Sequence, residues 1–220
     1  DHVLEWRSPN FLYAPKEGSL KVLMRNYRLS DDVGYRFSST WWEEWPLTAE
    51  KYARWLAVSQ GQVVNVYIDF ETFGEHHWED SHIFEFLKAL PWFVDRESTA
   101  QFALPTEVVK KHEAVARLPV QWAISWADIE RDVSAWLRNK MQFESFERVR
   151  RLRDKVLATK NPEIIREWRY LQTSDHLYYM CDKWWQEGDI HKYFSYYDTP
   201  QQAYHNYNRA LNALEKKINS

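Results

Sequence analysis

Residues Val63-Val64-Asn65-Val66-Tyr67-Ile68 form a short β-branched, apolar run that ends in Asp69-Phe70-Glu71, followed by Gly74, Glu75, His76 and His77. A run of this length and composition reads as a buried strand. In α/β folds, ligands bind beyond the carboxyl ends of parallel strands, so a strand running into two acids delivers them where chemistry is done. Asp69 and Glu71 point to the same side as long as extended geometry continues through both. A structural reading competes, because acids just after a strand also cap the next helix or bind loop amides.

Around this run the pattern changes with position. Leu20 to Met24 is a strand or a short helix, and Arg25 to Phe37 is polar and turn-rich. Thr48 is placed to cap a helix through Ser59, closed by Gly61. Apolar residues at Ile83, Phe84, Phe86, Leu87 and Leu90 form a helical stripe that Pro91 should stop. Beyond Leu104-Pro105, Thr106 can cap a short helix to Ala114, and helical spacing runs from Trp126 through Ala158. Asn161-Pro162 opens a further helix, taken as far as Trp184, and Thr199-Pro200 opens the last, ending near Lys217. Long helices with short links predict a helical bundle for residues 105–220.

The bulk properties exclude several classes. At 220 residues the chain can bury a real core. Its 29 basic and 32 acidic residues are well mixed, which argues against a nucleic-acid partner. No apolar run is long enough to span a bilayer. The single cysteine, Cys181, excludes an internal disulfide and suits a reducing, cytoplasmic setting. The chain opens at Asp1 with neither methionine nor signal sequence, which reads as a cut. Thirteen tryptophans include the groups Trp41-Trp42 with Trp45 and Trp184-Trp185; most fill cores, and the surplus suits sugar faces or a partner surface. The spacing of His76, His77, Glu79, Asp80 and His82 reproduces no HExxH helix or EF-hand loop, so neither a metal nor a cofactor is expected.

The segment Asp69-Phe70-Glu71-Thr72-Phe73-Gly74-Glu75-His76 resembles the fourth motif of the α-amylase-like glycoside hydrolases of family 57. Four further segments resemble that family in the same order: Arg25 to Asp32, Asp128 to Trp136, Ser174 to Met180, and His191 to Ser195. The resemblance implies an α/β fold, part of an incomplete (β/α)7 barrel over residues 1–104 followed by a helical region over 105–220. It implies an α-glucan substrate such as starch or glycogen, with Asp69 as general acid/base. Glu71, His76, Asp132, Trp136, Asp175 and His176 fall where relatives bind sugar. At four residues apart, Asp132 and Trp136 should share one helical face. Arg138 departs from the family, where many relatives resemble Trp-Leu-Gly-Asn.

Retaining glycosidases need two carboxyl groups about 5–5.5 Å apart, one of them a nucleophile. The family's nucleophile is a glutamate in a motif that precedes Asp1, and Glu5 does not sit in that context. The isolated chain is therefore expected to be inactive, and to pair with the N-terminal half of the same enzyme or with itself. At the end of an apolar strand, Asp69 should be half buried, which favours the raised pKa a general acid needs. Alternatives remain open: a non-catalytic carbohydrate-binding or interaction protein of the same fold, a 4-α-glucanotransferase or a branching enzyme, or a proteolytic fragment.

Overall fold

In a computed structural model, described over residues 3–97, 99–125, 127, 130–183 and 195–219, the chain divides into two units, Asp1–Gln121 and Trp122–Ser220. The sheet of the first unit is built on Leu12–Pro15 (β1), with Leu12 and Tyr13 buried at its centre. Val22–Leu23 (β2) pairs antiparallel with β1, and Ala116–Leu118 (β3) pairs parallel on the other side. Because β3 belongs to this sheet, the first unit extends past residue 104 to Gln121. The three strands do not close into a barrel among the described residues, and the fold shown is mixed α/β.

The main apolar core of this unit lies among helices. Asn26 accepts from the Leu29 N–H and opens Tyr27–Gly34 (α1), a helix where the polar composition had suggested turns. Thr48 caps Ala49–Val58 (α2) by accepting from the Lys51 N–H, as its position predicted. Ile83–Arg96 (α3) runs straight through Pro91. Proline already holds the helical φ, but it forfeits one hydrogen bond and its ring crowds the carbonyl four residues back. Pro91 and Leu87, whose carbonyl would have accepted that bond, both lie on the exposed face, where solvent can serve it. Leu29, Val33, Phe37, Tyr52, Ile83 and Phe86 pack together as the centre of this core. A last short helix, Pro105–Lys111 (α4), starts from Leu104, not from Thr106: the Leu104 N–H donates to the Glu107 carboxylate at 2.8 Å, and Pro105 fills the first turn.

Residues 63–69 are extended but do not form a ladder strand. Their one β-bridge joins Asn65 to Arg25. Side chains take up other hydrogen bonds: the Tyr67 N–H donates to Ser30 Oγ at 3.2 Å, and Arg25 Nε donates to the Tyr67 carbonyl at 3.0 Å. Val64, Val66 and Ile68 still face the apolar core, while Tyr67 is exposed. The apolar, β-branched composition was legible; a strand, however, also needs a neighbour on its edge.

In the second unit, residues 122–139 are turns where described, and the helical spacing read from Trp126 becomes a helix only at Asn139. From that cap run Lys140–Arg151 (α5), Arg153–Ala158 (α6), Pro162–Tyr170 (α7), the single turn Asp175–Tyr178 (α8) and Pro200–Asn219 (α9). The helix opened by Asn161 thus ends at Tyr170, and Trp184 and Trp185 lie outside the described residues. Ala203, Tyr207, Leu211 and Leu214 line one face of α9 and bury against Val149, Leu152, Trp168 and Met180. The Arg148 guanidinium forks onto both oxygens of Glu215, at 3.1 and 2.7 Å, and ties α5 to α9. Burial pushes the Tyr207 hydroxyl up to about 12, and it donates to the Leu171 carbonyl. No helix among the described residues is long and apolar enough to cross a membrane.

Candidate active site

The extended run of the first unit ends at Asp69, whose backbone is still extended, with ψ at 147°. Phe70–Thr72 then form a 310 turn, so Glu71 does not continue the i, i+2 alternation that would place both acids on one side. The Thr72 and Phe73 N–H groups donate to the Asp69 and Phe70 carbonyls. Next, the Glu75 and His76 N–H groups both donate to the Glu71 carbonyl. The Gly74 N–H donates to the His77 carbonyl, and the His77 N–H donates back to Thr72. Gly74 sits at φ +106°, a conformation that favours glycine, and a Cβ there would lie 3.2 Å from the Phe84 ring. Residues 69–77 therefore make a small, closely hydrogen-bonded loop with little slack.

His77 anchors that loop, a role that the motif did not single out. It is buried, with Nδ1 2.7 Å from Ser38 Oγ and Nε2 3.2 Å from the Gly34 carbonyl. A carbonyl only accepts, so Nε2 carries the proton and Nδ1 accepts from the Ser38 hydroxyl. Burial pushes the imidazole below its ordinary 6.5, against the Gly34 and Val33 carbonyls, which raise it. The sequence signal was there in the doublet His76-His77, of which only one ring can face inward. His76 is the exposed member.

Asp69 and Glu71 are themselves exposed. The half-buried Asp69 expected at a strand end is not found: the residue is exposed, and among the described residues no ladder strand flanks residues 63–69 to wall in its carboxylate. Among the described residues no group of three or more His, Cys, Asp or Glu can hold a metal ion. His77 is turned inward, and the His82 ring stands 3.9 Å from the Glu85 carboxylate.

The second unit holds the other candidate residues. Asp132 is half-buried and accepts from the Ser134 N–H at 2.7 Å; its own carbonyl accepts from Ser125 Oγ at 2.5 Å. This is turn chemistry, and Asp132 and Trp136 share a turn-rich segment instead of a helical face. Trp136 is half-buried, with its ring 5.8 Å from that of Tyr178. Asp175 is exposed at the start of α8. His176 donates to the Tyr170 carbonyl at 3.2 Å and stacks 5.1 Å from Tyr207 in a tilted arrangement, as a packing histidine does. Gln142 holds this group together. Fully buried, it donates to the Ala135 and Leu177 carbonyls at 2.7 and 3.0 Å and accepts from the Arg138 and Asn139 N–H groups. Of the motif from His191 to Ser195, only Ser195 lies within the described residues.

Residues 1–121 match the family model described as glycosyl hydrolase family 57. Over 228 aligned residues the chain is 46% identical to a curated protein named "Putative alpha-amylase" from Methanocaldococcus jannaschii. That similarity takes in 99% of this chain and 49% of the relative, so the chain spans about half the length of the curated protein it matches. No solved structure matches.

Proposed function

The chain belongs to glycosyl hydrolase family 57, and we propose that it forms part of a retaining glycoside hydrolase acting on α-glucans. Asp69 is assigned as general acid/base, and Glu71, His76, Asp132, Trp136, Asp175 and His176 as residues that contact sugar. The observation that carries this reading is the loop itself. An acid stands free at the rim of a segment whose backbone is hydrogen-bonded throughout and anchored by buried His77, which fits a carboxyl group held ready for a substrate.

In the first step a partner carboxylate attacks the anomeric carbon while Asp69 gives its proton to the departing glycosidic oxygen. In the second, Asp69 takes a proton from water, whose oxygen displaces the enzyme carboxylate and restores it. We assign the nucleophile to a glutamate outside these 220 residues, on another segment or chain, with residues 1–104 contributing to an incomplete (β/α)7 barrel. The same assignment makes the isolated chain inactive, with a second polypeptide segment or a further copy as its partner. The single cysteine, Cys181, is buried and outside any disulfide, and it suits a reducing, cytoplasmic setting.

The exposure of Asp69 favours a second reading, a non-catalytic carbohydrate-binding protein of the same fold. Reducing-sugar release by the full-length protein separates the two. The catalytic reading expects Asp69→Asn to lower turnover on an α-glucan by about 10² or more. It expects a smaller loss on an aryl glycoside whose leaving group needs little protonation. Wild-type rates after Asp69→Asn would remove Asp69 from the mechanism.

A further inference from the structure

We infer that a cleft beside the Asp69 loop is a second glucan-binding site, one that holds a neutral oligosaccharide without taking part in bond cleavage. The inference rests on the α-glucan reading and extends it to Trp45 and Trp78, which no family motif includes.

The cleft has a volume of about 850 Å³ and lies between residues 37–50 and residues 76–93 of the first unit. Sites for small ligands commonly run to several hundred cubic ångströms, with apolar walls and a few polar groups. Its floor is core: Phe37, Leu47 and Phe86 are all buried. Its walls carry two indoles that the core does not claim, Trp45 at 46% exposure and Trp78 at 69%. Rings left on the surface beside a cleft offer the flat apolar faces against which a pyranose stacks.

Both indoles sit on backbone that is already fixed. The Trp78 carbonyl accepts from the Ser81 N–H and from Ser81 Oγ, at 3.0 and 2.6 Å. Trp45 donates its N–H to the Trp42 carbonyl, and Lys51 Nζ donates to the neighbouring Glu44 carbonyl at 2.7 Å. A ligand would therefore meet rings on ordered segments and avoid much of the ordering cost of binding.

The charge of the lining selects the ligand class. Among the described residues no lysine or arginine lines the cleft, whereas Glu50, Asp80 and Glu85 do. Glu50 is committed to Arg54 and Glu85 stands 3.9 Å from the His82 ring, so the Asp80 carboxylate and the second oxygen of Glu85 are the acceptors offered to hydroxyl groups. Such a lining repels phosphorylated sugars and nucleic acid and suits a neutral, hydroxyl-rich chain. His76 is the one residue that the cleft shares with the 69–77 loop; Asp69 and Glu71 do not line it. A glucan held here would lie beside the acid without occupying its place.

The test is calorimetric titration of maltoheptaose into the full-length protein carrying Asp69→Asn, so that the ligand is not consumed. Two binding sites are expected in that parent. One should remain, with unchanged Kd, after the further pair Trp45→Ala and Trp78→Ala, and both should survive Trp92→Ala. Trp92 is an equally exposed ring on α3 outside the cleft, stacked on Arg96. If the double variant melts early, Glu85→Arg replaces it: this exposed position tolerates change, and a long cation there should weaken the second site at least tenfold. Identical binding by parent and cleft variants would overturn the cleft and leave the hydrolase reading standing. No binding by the parent would overturn both.

Discussion

Gln142 gives the most demanding test of how the second unit holds its candidate residues. Its side chain is wholly inaccessible and makes four hydrogen bonds, to Ala135, Leu177, Arg138 and Asn139. These bonds join the segment carrying Trp136 to the turn carrying Asp175 and His176. Gln142→Leu keeps the size and removes every bond. The Ala135 carbonyl, in the fully buried bond, is stranded at a cost of about 1–3 kcal/mol, and the three part-buried partners lose about 1 kcal/mol each. The sum is a destabilisation of about 4–6 kcal/mol, slightly reduced by the apolar transfer of leucine.

Gln142→Glu divides the effect. A carboxylate still accepts from Arg138 and Asn139, at a helix N-terminus that favours negative charge, but it faces the Ala135 and Leu177 carbonyls with no proton to give. About 2–4 kcal/mol should go at pH 7. The loss should shrink as the pH falls, because the protonated acid can donate to one carbonyl. Urea unfolding followed by circular dichroism reads both values. Losses below about 1 kcal/mol for both variants at pH 7 would mean that these carbonyls are satisfied some other way, and the reasoning would fail.

Trp136→Ala should weaken maltooligosaccharide binding by roughly 1–2 kcal/mol, as loss of a stacked ring does; unchanged affinity in a folded variant would assign the ring to packing against Tyr178. His77 sets a pH dependence of stability. Below 6.5 the unfolded chain takes up a proton that the folded chain refuses, so the contribution of neutral His77 is full above 6.5 and is lost as the pH falls towards its depressed folded value. Wild type should therefore lose stability relative to His77→Gln between pH 7 and pH 5, and parallel melting curves across that range would contradict the lowered pKa of the buried imidazole. Gly74→Ala, strained at φ +106° and pressed on Phe84, should destabilise by about 1–3 kcal/mol and lower activity with it, measured by melting and by rate.

What the sequence reveals here is chiefly local. Thr48, Asn161 and Pro200 mark helix starts because a cap or a proline acts within one turn. Asn26 carried the same signal inside a stretch whose polar composition hid it. Residues 63–69 show the limit: an apolar, β-branched run marks a segment that meets the core, but whether a strand forms depends on neighbours that are distant in sequence. Pro91 shows another, since its tolerance depends on which face of α3 meets solvent. At the site, the acidic motif was legible by resemblance. The exposure of Asp69 required the packed chain, and so did the burial of His77 and the fourfold bonding of Gln142, whose partners lie between 3 and 43 positions away.

The central claim is that Asp69 protonates the leaving group and later deprotonates water in a double-displacement reaction. The most direct measurement uses the full-length Asp69→Ala protein, an aryl α-maltoside with a good leaving group, and sodium azide. Such a leaving group departs without an acid, and azide attacks the glycosyl intermediate without a base. The account predicts that azide accelerates turnover and that the product is the α-maltosyl azide, with configuration retained. A β-azide, or a rate indifferent to azide, would contradict it.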